Sequence, residues 1–209
     1  MSGFFITMEG VDGSGKSTQC RLLQEYLKKI NKKSIHLREP GATPLGEMLR
    51  EIIKNPIYNV NKITEAYLYA TSRSELVEAV IKPALENGNI VICDRFLDSS
   101  IAYQGVARGI GTDIIREINK YAVSDICPNI TFFIDIPIEL SEKRLKIRNF
   151  ESSQIKDRIE LENKFFKEKV RDAYKNLSKE NKRIVTIDGT KKIEEIHRNI
   201  ISYLEFLNI

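Results

Sequence analysis

Residues 10–17 read Gly10-Val11-Asp12-Gly13-Ser14-Gly15-Lys16-Ser17, two glycines five apart with Lys and Ser directly after the second. This is the Walker A spacing, and it narrows the folds open to the chain more than any other stretch. The glycines let backbone N–H groups turn inward onto phosphate oxygens, lysine reaches the outer phosphates, and the hydroxyl of Ser17 is suited to Mg2+. The anion then rests on the N-terminus of the following helix, which Thr18 continues.

An octapeptide can match by chance, so its flanks decide. Residues 4–8, Phe-Phe-Ile-Thr-Met, form a short β-rich apolar run suited to a buried strand. From Ser17 the pattern turns helical, with Leu22, Leu23, Tyr26, Leu27 and Ile30 on one face. Strand, loop and helix thus come in the order that a phosphate-binding loop requires.

The chain of 209 residues is expected to form a single domain with a core that needs neither disulfide nor metal. Lys and Arg exceed Asp and Glu only by 33 to 29, which argues against nucleic acid as a partner, although basic groups gathered in one cleft would suit a small polyanion. Cys20, Cys93 and Cys127 are odd in number and lack Cys-x-x-Cys spacing, and there are two histidines, so no zinc site is expected. No apolar run approaches the roughly 18 residues of a membrane span, and no secretory leader is evident. The expectation is a cytoplasmic protein.

Further strands are expected at 34–38, 89–93, 132–135 and 183–187, with helices between them, the pattern of a parallel α/β sheet. In such sheets the loops at the carboxyl ends of the strands line the ligand crevice, which directs Arg38, Glu39 and Pro40 toward the Walker loop. A long helix is expected over 61–86. Arg73 falls on its apolar stripe, where a guanidinium demands either a carboxylate or a ligand phosphate, and Tyr69 lies one turn earlier. A terminal amphipathic helix is expected over 193–207.

Asp94 and Asp135 each follow an apolar strand, the Walker B arrangement that holds Mg2+ or its waters. Asp94 is favoured because Arg95 comes next, then the polar run Asp98-Ser99-Ser100, with Tyr103 and Gln104 beyond. Arg144 and Arg148, four apart on a helical pattern, are either a solvated basic face or a clamp for an anion. The polar stretch 149–156 and the following Asp157-Arg158-Ile159-Glu160 read as a lid, spanning about 144–158, that closes over phosphates.

Together these segments resemble the thymidylate kinases, P-loop nucleoside monophosphate kinases. The resemblance runs through Glu9 to Thr18, Arg38-Glu39-Pro40-Gly41, Thr43-Pro44-Leu45-Gly46, residues 70–73, Asp94-Arg95-Phe96, Ala102-Tyr103-Gln104-Gly105 and Asp157 to Glu160. It implies a three-layer P-loop fold with a five-stranded parallel sheet, a homodimer, ATP as donor, Mg2+, and dTMP as acceptor.

By position, the resemblance puts Tyr69 on the thymine ring and Arg73 beside the base. It sets Arg38 and Arg95 near the acceptor phosphate, Tyr103 against the 2′ position of the sugar, and Asp12 and Glu160 by the sugar. Ser99, Ser100 and Gln104 fall along the base pocket. Gly13 stands where some members carry a loop arginine, so Arg144, Arg148 and Arg158 are the candidates for a lid clamp on the donor phosphates, which of them being left open. Ala42 replaces a second glycine usual after Glu-Pro-Gly.

In-line transfer needs no side-chain base, because the acceptor phosphate is already anionic, with a second pKa of about 6. The expected catalytic set is Lys16, Asp94, Arg95, Arg148 and Arg158. The competing expectations are a P-loop kinase for another nucleotide or nucleoside, and a GTPase-like switch. The chain contains no Asn-Lys-x-Asp guanine-reading sequence to support the switch.

Overall fold

The computed structural model describes residues 3–152, 157–207 and 209. Five strands, β1 (Phe4–Glu9), β2 (Ser34–Arg38), β3 (Ile90–Asp94), β4 (Ile130–Asp135) and β5 (Ile184–Asp188), form one sheet in the order β2-β3-β1-β4-β5. Every pairing is parallel. β1 is central, and the chain leaves it toward β2 and β3 on one side and β4 and β5 on the other, so the loop after β1 opens at a topological switch point.

Helices cover both faces of the sheet. They are α1 (Lys16–Lys29), α2 (Pro44–Lys54), α3 (Lys62–Leu76), α4 (Lys82–Glu86), α5 (Leu97–Ser100), α6 (Thr112–Val123), α7 (Ile138–Ser152), α8 (Lys164–Glu180) and α9 (Ile193–Phe206). Alternate side chains of β1 enter different layers. Ile6 and Met8 pack with Ile92 and Phe132 on Leu23 and Leu27 of α1 and Ile196 and Ile200 of α9. Phe5 points the other way, to Val91, Leu76, Val77 and Phe96. Thr7 is buried in the central strand, and its hydroxyl meets that of Thr131 at 2.6 Å.

Two expectations need adjustment, and one segment is new. The helix expected over 61–86 widens into a π-helical turn at Val77–Ile81 between α3 and α4. Pro83 accounts for it: proline has no N–H, and its ring would clash with the carbonyl of Ala79 in a regular helix. A second π-helical segment, Ile101–Ala107, carries Tyr103 and Gln104. Finally, the strands reach their terminal acids Glu9, Asp94 and Asp188, one residue beyond the apolar runs, because the backbone still pairs there.

The polar stretch assigned to the lid begins as helix, since α7 continues to Ser152. Residues 153–156 of that assignment lie outside the described residues.

Candidate active site

The carboxyl ends of β1, β2 and β3 open into one cavity of about 500 Å3. The Walker loop forms its floor. Gly10 has φ +140, and a Cβ there would lie 2.6 Å from the Ile134 carbonyl oxygen. Gly13 has φ +75, and a Cβ would lie 2.9 Å from the Ser141 carbonyl oxygen, so this loop has no room for the arginine that some related loops carry. Gly15 starts α1 without a side-chain cap, which leaves the first N–H groups of that helix free for an anion.

Lys16 is buried and lines the cavity, its Nζ donating to the Val11 carbonyl at 2.9 Å. Burial, with Arg95 nearby, pushes its pKa down to about 8 against the pull of Asp94 and Asp12. The Ser17 hydroxyl donates to the Asp94 carboxylate. Asp135, the other candidate Walker B acid, is instead held by Arg171 of α8 at 2.6 Å and does not line the cavity. The paired oxygens of Ser17 and Asp94 therefore meet the Walker loop, as the sequence order after Asp94 suggests.

These two oxygens are a hard-donor pair suited to Mg2+, which takes few protein ligands and keeps water and phosphate oxygens. Among the described residues no cluster of three or more His, Cys, Asp or Glu could by itself hold a metal ion.

Against the same loop Arg95 takes a left-handed backbone, φ 72, and spreads its guanidinium over several acceptors. One Nη group reaches Asp12 at 2.7 Å and the Tyr103 hydroxyl at 3.2 Å, and the other reaches the Gly10 carbonyl at 2.9 Å and Ser99 Oγ at 3.1 Å. Burial alone would raise the Asp12 carboxyl, but Arg95 and Lys16 outweigh it and hold the group below the usual carboxylate range. Beneath Arg95 lies Glu9, which accepts from the Phe96 N–H and the hydroxyls of Ser99 and Tyr174. Burial and the Asp98 charge raise its pKa to about 7, past the opposing effect of Arg95.

Most residues expected from sequence meet here. The cavity is lined by Asp12 through Thr18, by Arg38, Glu39 and Pro40, by Tyr69 and Arg95 with Ser99, Tyr103 and Gln104, and by Arg144, Arg148 and Glu160. Burial keeps the Tyr69 hydroxyl protonated, with its pKa raised above the ordinary range. Arg144 bonds the Gly189 carbonyl at 3.0 Å, joining the Walker loop to the end of β5, and Arg148 reaches Glu160 at 2.5 Å.

Other expected residues sit elsewhere. Arg73 is 1% exposed and does not line the cavity; its Nε and Nη2 hold Glu39 at 2.8 and 2.6 Å, and its Nη1 reaches Asn119 and Ser100. Of the two partners its buried position demanded, the carboxylate is present, and Ser100 is turned to the same guanidinium. Arg158, expected in the phosphate clamp, is tied to Glu65 at 2.6 Å and to the Ile53 carbonyl, outside the cavity. It anchors its own segment on α2 and α3. Gly10 and Val11 underlie the loop without lining it.

The cavity also gathers residues the sequence reading passed over. Arg50 bonds the Pro40 carbonyl at 2.8 Å, and Lys54 pairs with Asp157 at 2.7 Å. Their spacing of four on α2, beside an acidic motif far along the chain, was the available signal. Gln19, Lys191, Ile193 and Ile196 close the opposite end. Nothing in their local pattern marks them.

An all-parallel sheet whose Walker loop faces a second, arginine-lined anion site defines a P-loop phosphotransferase with two phosphate-bearing substrates. Comparison with known proteins narrows the class. The family model described as Thymidylate kinase matches residues 8–200. The chain is 49% identical to the thymidylate kinase of Thermosipho africanus over 96% of its own length and 97% of the relative's. It is 46% identical to that of Fervidobacterium nodosum, covering 94% and 96%. The crystal structure of thymidylate kinase from Ehrlichia chaffeensis superposes with a TM-score of 0.77 at 33% identity, covering 98% of this chain and all of that one. The chain belongs to the thymidylate kinase family.

Proposed function

We propose that this chain transfers the γ-phosphoryl group of ATP to dTMP, giving dTDP and ADP, as a step in dTTP synthesis. The observation that carries the reading is that Lys16 and Arg95 line a single cavity, their charged groups on the adjacent Val11 and Gly10 carbonyls of the Walker loop. Two phosphate groups drawn to these neighbouring cations would be brought together, as in-line transfer requires.

On the donor side, the Walker N–H groups and Lys16 hold the outer phosphates of ATP, and Arg144 and Arg148 approach from the lid. Ser17 and Asp94 would hold Mg2+, which when bound neutralises charge on the donor phosphates. Arg95, with Arg38 nearby, takes the acceptor phosphate. Asp12, Tyr103, Asn149-bonded Glu160, and Tyr69 then define sugar and base, and Ser99 and Gln104 complete the base pocket. No residue need remove a proton; the chain's task is to pre-align charge so that it costs little reorganisation as the transition state forms.

The active unit in this reading is a homodimer. Met48 of α2, Tyr67 of α3 and Ile57 in the connection between these two packed helices are 67%, 56% and 78% exposed, apolar side chains that a partner subunit would cover. Light scattering on the intact chain tests it. Among the described residues no helix is long and apolar enough to cross a membrane, and we place the chain in the cytoplasm. The decisive experiment is a transfer assay with Mg2+ and ATP across dTMP, dUMP, UMP, CMP, AMP and GMP. A marked preference for dTMP is expected, and turnover of another acceptor in its place would overturn the assignment.

A further inference from the structure

Glu65 lies in the first turn of α3, 1% exposed, one helical turn before Tyr69. Three side chains converge on it. Gln104 Nε2 donates to Oε1 at 2.8 Å, Arg108 donates to both oxygens at 3.2 Å, and Arg158 Nη1 lies 2.6 Å from Oε2. A carboxylate between two guanidinium groups offers lone pairs only, so the half of the Gln104 amide that meets it is the NH2. Amide geometry then sends the Gln104 carbonyl oxygen in another direction. Gln104 lines the cavity, and its Oε1 neither accepts a hydrogen bond from a described residue nor belongs to the buried atoms left without one, so it remains open to a ligand.

The geometry points to Glu65 as a positioning residue for base selectivity: by holding the Gln104 nitrogen, it leaves the base pocket a fixed acceptor in place of a group free to rotate. This rests on the reading above that Gln104 faces the base of the acceptor nucleotide. Thymine and uracil present an N3–H donor at the edge of the ring, whereas cytosine presents a lone pair at N3. A fixed acceptor bonds the first and sets lone pair against lone pair with the second. An untethered glutamine would flip its amide and serve either base. Arg108 and Arg158 fix the Glu65 carboxylate in place by their own contacts, and Arg108 is itself seated over the Phe166 ring at 4.6 Å.

The test compares dTMP and dCMP as acceptors on the full chain. Glu65→Gln keeps the shape but can offer its own NH2, so the ratio of kcat/KM for dTMP over dCMP is expected to fall about tenfold or more. The change should fall on KM for dTMP and leave KM for ATP in place, a split that general loosening of the fold would not produce. Glu65→Asp, still acceptor-only, should keep most of the ratio. Gln104→Met serves as the control for the underlying reading. If Gln104→Met loses selectivity while Glu65→Gln keeps the wild-type ratio, the positioning role is overturned and the base pocket stands. If Gln104→Met keeps the wild-type ratio, the base-pocket reading falls and takes this inference with it. A measurement on the unaltered chain covers the case in which Glu65→Gln does not fold. One of the two Gln104 side-chain amide protons should resist hydrogen exchange by NMR before dTMP is added, because it already faces Glu65. Free exchange until dTMP binds would overturn the tether.

Discussion

Arg95 and Asp12, 83 positions apart in the chain, meet at 2.7 Å and tie the loop after β3 to the Walker loop. The guanidinium that would take the acceptor phosphate is thereby aimed by the loop that would take the donor. Its left-handed backbone, costly for a residue with a side chain, is held by these contacts at the centre of the cleft. Replacing Arg95 by Ala should lower kcat/KM for dTMP by about 10² to 10³, the scale of one lost pre-aligned donor. KM for ATP should move little; steady-state kinetics with each substrate varied in turn checks this, and unchanged dTMP saturation would remove Arg95 from the acceptor site.

Lys16→Ala should reduce turnover by about 10³ or more while the melting temperature holds or rises, since the variant no longer buries a cation. A companion measurement uses the pKa of about 8. Bound phosphates favour the charged amine and raise that value, so near pH 8 to 9 nucleotide binding should take up protons. Calorimetry in buffers of different ionisation enthalpy reads the uptake, and Lys16→Ala should abolish it.

Glu9 supplies a pH dependence of stability. Its pKa is raised from 4.5 to about 7, so between those values the folded chain holds a proton that the unfolded chain has lost. The stabilisation is complete below about 4.5 and is lost as pH rises through 7, amounting to about 3 kcal/mol at most. Asp12, with its pKa shifted the other way, acts only below the ordinary carboxylate range and leaves this window clear. Melting curves of the wild type and Glu9→Gln from pH 4.5 to 7.5 should diverge in slope, the variant being flatter.

The Arg73–Glu39 pair separates a structural role from a substrate contact. Arg73→Leu strands Glu39 in a site where burial already raises its pKa, and should cost about 3–5 kcal/mol in denaturant unfolding. The double variant Arg73→Leu with Glu39→Leu should recover much of that stability. A single variant that keeps wild-type stability yet binds dTMP poorly would restore the direct contact that the family resemblance implied.

Ala42, where the related pattern has glycine, sits at φ 65. This left-handed conformation costs a residue with a Cβ about 1–2 kcal/mol, partly offset by the greater freedom of glycine in the unfolded chain. Ala42→Gly should therefore stabilise the protein by up to about 1 kcal/mol by equilibrium unfolding. The bond from its N–H to Glu47 at 2.7 Å involves only backbone on its side and survives the change.

The sequence by itself determined the phosphate-binding loop, the parallel α/β sheet and most of the cleft, because those depend on local requirements. Glycines must turn a loop at Gly10 and Gly13, apolar runs must be buried, and the carboxyl ends of parallel strands must share one edge, which brings Asp94 and Arg95 to Lys16. Tertiary structure alone decided the partners of the arginines. A guanidinium reaches several ångströms from its backbone and binds whichever carboxylate packing delivers, so Arg73 took Glu39, Arg158 took Glu65, and Arg171 claimed Asp135, leaving Asp94 to Ser17. Arg50, Lys54 and Lys191 entered the cleft for the same reason, from segments whose local pattern says nothing about where they meet.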